Sequence, residues 1–284
     1  MKPSTLIVSY ASGAAAAAIV TLPRSLELAH AQRIPTSYES AVLGRRILAL
    51  TPLAVVSTIF PSDDPKSKND VSSKENRPAG LGGQPHGLME YIADCDDTNT
   101  GNPTILAITI ETSFKNVAAG SNVSLAVQWT PPHPPAKRIS SESESFLSRV
   151  KGYLLGFRSH DRNKRQSVAD PSSYSAANLP RFSLHGYIER IPDGDDSAAL
   201  RRCFVDTHPD ARYWLPGSRV HESHFVRLVV QHVYWIGGFG DRAYIGWIPV
   251  DEWRNVSRKE WEAVRLPGEE KGWKEWATPA VGDL

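Results

Sequence analysis

The 284-residue sequence is poor in cysteine and has no excess of charge of either sign. Two cysteines are too few for a disulfide-rich scaffold or a cysteine-based zinc module. The 32 Lys and Arg residues are balanced by 31 Asp and Glu residues, which leaves a net charge of +1. Nucleic-acid-binding domains carry clustered positive charge, so this balance excludes a nucleic acid as partner. The proportions of 40% hydrophobic and 22% charged residues are typical of a globular protein.

Long apolar runs are missing after the amino-terminal region. Lys2 precedes an apolar or small-residue run over 6–22, and Ala29-His30-Ala31 supplies a small-residue cleavage pattern before Gln32. This arrangement predicts a signal peptide over 1–31. The alternative is an uncleaved transmembrane helix, but the run is at the short limit for spanning a bilayer and contains Ser and Gly. We therefore expect entry into the secretory pathway and no stable membrane anchor.

Two sequons and two cysteines bear on this route. Asn122 and Asn255 each begin an Asn-Val-Ser sequon and are predicted glycosylation sites. In an oxidising compartment, Cys95 and Cys203 could form a disulfide. The alternative is a pair of separate buried thiols, which is also common. The sequence leaves both arrangements open.

The order of elements predicts a mainly β fold, of the α+β class. The Thr36 and Glu39 spacing matches a capping box and predicts a helix to about Leu48. Six or seven strands follow, beginning with the β-branched run Leu53 to Phe60, and most are joined by turns or one short helix. Because βαβ alternation is lacking, an antiparallel barrel with short flanking helices is favoured over a doubly wound sheet.

Composition marks out the irregular parts of the chain. Residues 61–85 and 131–179 are rich in Pro, Gly, Ser and charged residues, and we interpret them as inserts. The folded domain is expected to span 36–265, and residues 266–284 are expected to form a loose tail.

The carboxyl-terminal third of the domain carries a recognisable series of residues. A His-Pro pair is followed by a Trp, by a His-Phe pair opening a strand, by a Tyr-Trp-Ile-Gly turn, and by a Pro before two acids and a Trp; these are His208, Pro209, Trp214, His224, Phe225, Tyr234 to Gly237, Pro249 and Asp251 to Trp253. This pattern resembles the CREG family of secreted glycoproteins, within the pyridoxamine 5'-phosphate oxidase-like, FMN-binding split-barrel superfamily. The resemblance covers about residues 36–257.

The resemblance carries expectations about fold and function. It implies a six-stranded split β-barrel that forms a homodimer. It also implies an extracellular or vacuolar/lysosomal glycoprotein that acts through protein or surface contacts without established enzyme activity. The sequence does not identify the protein partner. The alternative function is an FMN-dependent oxidoreductase of the pyridoxamine 5'-phosphate oxidase type.

The flavin-binding relatives provide one residue-level comparison. Their phosphate is held by a Ser-x-Lys before a short helix, with an Asn seven residues after the Lys; Ser113, Lys115 and Asn122 match that pattern. The relatives also place an Arg and a Lys on the preceding strand, whereas this chain has Glu90 and Asp94 there. A phosphate dianion would be repelled by these acids. We therefore interpret Ser113 and Lys115 as a remnant of an FMN site, and we expect no cofactor and no catalytic residue.

Other motifs give no support for a metal or phosphate site. His221 and His224 are three residues apart at the start of a strand, where they point to opposite faces. The glycines at 237–240 lie between two strands and predict a hairpin turn. The acids at 193–196 lack the remaining ligands of a calcium loop.

Overall fold

The computed structural model of the protein describes residues 33–62, 77–96, 98–133, 176–192 and 197–271. The predicted signal peptide and most of both predicted inserts lie outside these ranges. In chain order the elements are α1 (Ser37–Leu50), β1 (Leu53–Ile59), β2 (Pro85–Ala93), β3 (Thr104–Ile108), α2 (Thr112–Ala118), β4 (Val123–Gln128), β5 (Arg181–Arg190), α3 (Ser197–Thr207), β6 (Ser223–Ile236), β7 (Ile245–Ile248), α4 (Val250–Asn255) and α5 (Arg258–Ala263), with short 3-10 turns at Ala176–Asn178 and Pro209–Tyr213.

The strands form an antiparallel sheet that closes on itself. Its order is β3-β2-β1-β4-β5-β6-β7, and an additional pairing of β3 with the first part of β6 closes six strands into a barrel. The long β6 also pairs with β7, which lies outside the closed barrel. The prediction of a six-stranded antiparallel split barrel with short helices is confirmed.

The barrel interior follows from alternation along the strands. In β1, Ala54, Val56 and Thr58 are buried, whereas Leu53 and Val55 point outward and are exposed. Each fully buried aliphatic side chain contributes about 1.5–3 kcal/mol relative to an exposed one. Fully buried residues from the other strands complete this core: Ile92, Ile105, Leu125, Leu184 and Leu228.

Helix α1 packs against α4 through a close contact with tryptophan. The capping box at Thr36 and Glu39 is present and fixes the start of the helix. A Cβ added at Gly44 would lie 2.7 Å from the ring of Trp253, so a glycine is needed for this approach. Trp253 is fully buried and donates its Nε1–H to the carbonyl of Gly101 at 3.1 Å.

A β-bulge interrupts the pairing of β5 with β6. The pairing shifts register between His185 and Gly186, because His185 faces His232 whereas Gly186 faces Val230. A Cβ on Gly186 would lie 1.9 Å from the carbonyl oxygen of Val229. The absence of a side chain at residue 186 therefore permits the bulge.

A second, smaller core lies beneath α3. Phe204 and Phe225 meet edge to face with ring centroids 5.3 Å apart, and both are buried. His208 stacks on Tyr91 at 4.5 Å and donates Nε2–H to the carbonyl of Ile92 at 2.8 Å. The His-Pro pair of the sequence pattern is thus part of the packing of this region.

The structure changes the expected limits of three irregular segments. Strand β2 begins at Pro85, and Arg77 lies over the ring of Phe60, so residues 77–85 of the first predicted insert belong to the folded domain. At the end of the second predicted insert, Leu179 is buried. The expected loose tail is held at its start, because Leu266 is fully buried and Glu269 forms an ion pair with Arg46. Among the described residues, no helix is both long and apolar enough to cross a bilayer.

Candidate functional site

The seam between β2 and β3 brings the predicted site residues together. The ladder between these strands is two residue pairs long, Ile92 with Ile105 and Ala93 with Thr104, so β2 has no β3 partner before Ile92. Helix α2 packs against β1 and β2 beside this gap. Asn116 of α2 donates to the Thr58 hydroxyl of β1 at 3.0 Å, which fixes the position of the helix.

Glu90 is an inward-facing carboxyl group at this seam. Its side chain lies on the same face of β2 as Ile92, and the residue is only 7% exposed. Burial raises the pKa of Glu90 to about 7, and the nearby Glu111 carboxylate adds to the rise. The hydroxyl of the fully buried Ser113 lies near Glu90 and partly offsets this rise in pKa. Glu90 therefore lies beside the serine that was predicted to contact a phosphate.

Glu111 completes a pair of carboxyl groups at the start of α2. It is the residue immediately before the helix and is half-buried. Burial raises its pKa, while the neighbouring Glu90 side chain and the charge of His221 lower it. Two neighbouring, partly buried carboxyl groups cannot both ionise easily, so the pair holds a proton near neutral pH.

This pair makes the stability of the protein depend on pH. The folded protein keeps a proton on Glu90 up to pH about 7, whereas the unfolded chain releases it near pH 4.5. We therefore expect the free energy of unfolding to fall as pH rises from about 5 to about 8. Glu90→Gln should reduce the fall in the free energy of unfolding between about pH 5 and about pH 8 by more than about 1 kcal/mol. One pKa unit corresponds to about 1.4 kcal/mol.

Urea unfolding at a series of pH values measures this effect. The matched control is Glu262→Gln, which changes an exposed carboxylate of α5 and should retain the wild-type slope. Equal slopes for wild type and Glu90→Gln would show that the buried pair does not hold the proton.

The residues at the seam do not fit the phosphate of FMN. A bound phosphate needs cationic side chains and free hydrogen-bond donors. Here two acids, Glu90 and Glu111, face the position beside Ser113. Lys115 is half-buried in the last turn of α2, and β2 contributes no Lys or Arg. A phosphate dianion would have to displace a buried carboxyl pair.

The other acid considered from the sequence lies elsewhere. Asp94 follows β2 and is close to Arg45 of α1, whose charge lowers the pKa that burial of Asp94 raises. Arg45 is fully buried and donates to the carbonyl of Trp253 at 3.2 Å and to Asn99 Oδ1 at 2.9 Å. Asp94 therefore belongs to a structural network beneath α1.

The remaining predicted residues occupy separate positions. Asn122 precedes β4 and Asn255 ends α4, and both are exposed. Cys95 and Cys203 are joined by a disulfide, with Cα atoms 5.9 Å apart, which ties the end of β2 to α3. Among the described residues, no group of three or more His, Cys, Asp or Glu side chains could hold a metal ion. The 193–196 acids are outside the described ranges.

The sequence matches a known family over most of its length. The family model described as CREG, beta-barrel matches residues 35–255, which include all seven strands. The chain belongs to the CREG family. The predicted family resemblance is thereby confirmed. No curated protein matches the sequence.

Several solved structures are similar to this CREG chain. The heme binding protein from Mycobacterium smegmatis aligns with a TM-score of 0.46 and 19% identity, over 78% of this chain and 61% of that chain. The chain thus spans less than two thirds of that protein. Campylobacter jejuni ChuZ gives a TM-score of 0.42 and 10% identity, over 80% of this chain and 69% of that one. The heme storage protein HutZ from Vibrio cholerae gives a TM-score of 0.36 and 9% identity, over 67% of this chain and 89% of that one.

Reasoning from the sequence did not identify two residues at the seam between β2 and β3. Glu111 could have been found from its position directly before the helix that carries Ser113. His221 was considered only as a metal ligand, although its charge acts on Glu111. No local pattern links His221 to Glu111, because β3 and β6 bring them together.

Proposed function

We propose that this CREG chain is a secreted or vacuolar/lysosomal glycoprotein that acts through surface contacts and not through a flavin-dependent reaction. The observation that carries the proposal is the buried Glu90 carboxyl group beside Ser113 and Glu111. It replaces the positive charge that a flavin phosphate requires with a buried acid pair. The alternative, an FMN-dependent oxidoreductase, has the support of Lys115 and of the Ser113 hydroxyl at this position.

Two further features support the secretory route. The disulfide between Cys95 and Cys203 is of a kind that persists in oxidising compartments. Asn122 and Asn255 are exposed, as glycan acceptors must be. Val256 between Asn255 and its hydroxyl residue is fully buried, but the Asn side chain itself lies at the surface.

An uncharged outer face supports the proposed homodimer. Met89 of β2 lies opposite Val55 of β1, which lies opposite Ala126 of β4. Val55 and Met89 are 41% and 58% exposed, and Leu53, two residues before Val55 on the same face of β1, is also exposed. Contiguous exposed apolar residues of this kind are typical of an interaction surface. A second copy of the chain is the partner that the family resemblance favours.

Protein secreted from eukaryotic cells tests the proposal with three readouts. We expect no flavin absorption band, before or after addition of excess FMN. Removal of N-glycans should lower the mass of wild-type protein, and Asn122→Gln and Asn255→Gln should each remove one glycan. Light scattering should give twice the mass of one chain, and Val55→Asp should give a single chain.

Each part of the proposal has an outcome that contradicts it. A stoichiometric flavin band that is lost in Lys115→Ala would overturn the non-catalytic function. An amino terminus at Met1 in place of one near Gln32, together with an unchanged mass on deglycosylation, would contradict secretion. A wild-type protein with the mass of one chain would exclude the homodimer.

A further inference from the structure

Two histidines face each other on the outer surface of the barrel. His185 on β5 and His232 on β6 are direct cross-strand partners, next to the bulge at Gly186. Directly opposed residues in an antiparallel pair have Cβ atoms about 4.5–5.5 Å apart. The two imidazole rings therefore project side by side from adjacent strands.

Trp247 of β7 shows that both rings lie on the same face. Its ring centroid is 5.7 Å from that of His185 and 6.3 Å from that of His232. The tryptophan is 58% exposed, and Tyr234 lies beside it at 5.1 Å. The two imidazoles thus converge on one open surface position with an indole at its edge.

The imidazole nitrogens are available to a ligand. Within the described part of the chain, neither His185 nor His232 makes a side-chain hydrogen bond or an ion pair. A neutral imidazole has one nitrogen lone pair, which is the form that binds metals.

We infer that His185 and His232 form a surface site for a divalent transition-metal ion. Each residue would supply one imidazole nitrogen, and water would complete the coordination. Metal–imidazole bonds are about 2.0–2.1 Å long, so two rings on paired residues can reach one ion. Imidazole suits Zn²⁺, Cu²⁺ and Ni²⁺, and with two protein ligands the site would be open and exchangeable. The inference does not depend on the proposed function.

Titration of the full chain with Ni²⁺ tests this site. Ni²⁺ is paramagnetic and should quench the fluorescence of the adjacent Trp247, while calorimetry gives the affinity directly. We expect a single saturable site. His185→Asn and His232→Asn should each raise Kd by about tenfold or more, since loss of even an outer-shell partner commonly has an effect of that size.

Two variants make the result specific. Trp247→Phe should remove most of the quenching and leave the Kd from calorimetry unchanged. His221→Asn alters an exposed histidine outside the pair and should leave both readouts unchanged. His232 is exposed, so its replacement should not disturb folding, which far-ultraviolet circular dichroism checks. An unchanged Kd in both His185→Asn and His232→Asn would overturn the inference, as would the absence of saturable binding.

Discussion

Replacement of Cys95 and Cys203 by serine is expected to lower the free energy of unfolding by about 4.7 kcal/mol, the chain-entropy value for a loop of about 100 residues. The disulfide spans 108 residues of sequence, so its loss would release a large part of the chain in the unfolded state. In the folded state the bond joins the end of β2 to α3. We expect α3 and the small core around Phe204 to loosen first.

Urea unfolding of the oxidised wild type and of the double serine variant measures this loss. Wild type treated with dithiothreitol should unfold like the variant, and the variant itself should not respond to dithiothreitol. A difference below about 1 kcal/mol between oxidised wild type and the variant would show that the unfolded chain is not constrained by the bond.

Gly186→Ala is expected to destabilise the barrel by about 3 kcal/mol or more, at the upper end of overpacking effects. The new Cβ would lie 1.9 Å from the carbonyl oxygen of Val229 and 2.9 Å from its carbonyl carbon. These are backbone atoms of a central strand, and they cannot rotate away as a side chain would. Relief would require the bulge to change register.

The control for this effect is Gly240→Ala, in the turn between β6 and β7. A Cβ there would have Ile245 Cδ1 as its nearest atom, at 3.5 Å, which is an ordinary contact. We expect Gly240→Ala to leave the unfolding midpoint close to that of wild type. If Gly186→Ala is equally well tolerated, the close approach of β5 and β6 at the bulge is incorrect.

The strands could be predicted from the sequence because their signals are local. Alternating or β-branched runs located β1 and β6 to within a few residues of their ends. The start of β2 at Pro85 was missed, because Pro and Gly there read as loop residues. Pairing of Pro85 with Ile59 on the adjacent strand β1 overrides that signal.

The site was only partly predictable for a related reason. The motif placed Ser113 and Lys115 on a short helix, and the structure has them on α2. Glu90 and Asp94 lie four residues apart on or next to one strand, and sequence alone could not decide which acid meets Ser113. The closure of the barrel decides it, since Glu90 faces the seam whereas Asp94 lies against Arg45.

The position of the cystine has a consequence for any cleaved form of the polypeptide. A single break anywhere between His133 and Ala176 would separate a fragment carrying β1–β4 and Cys95 from one carrying β5–β7 and Cys203. The two halves would stay covalently linked as a heterodimeric molecule, with the β4–β5 ladder bridging the nick. Such a product would migrate as one band on a non-reducing gel and as two bands after reduction.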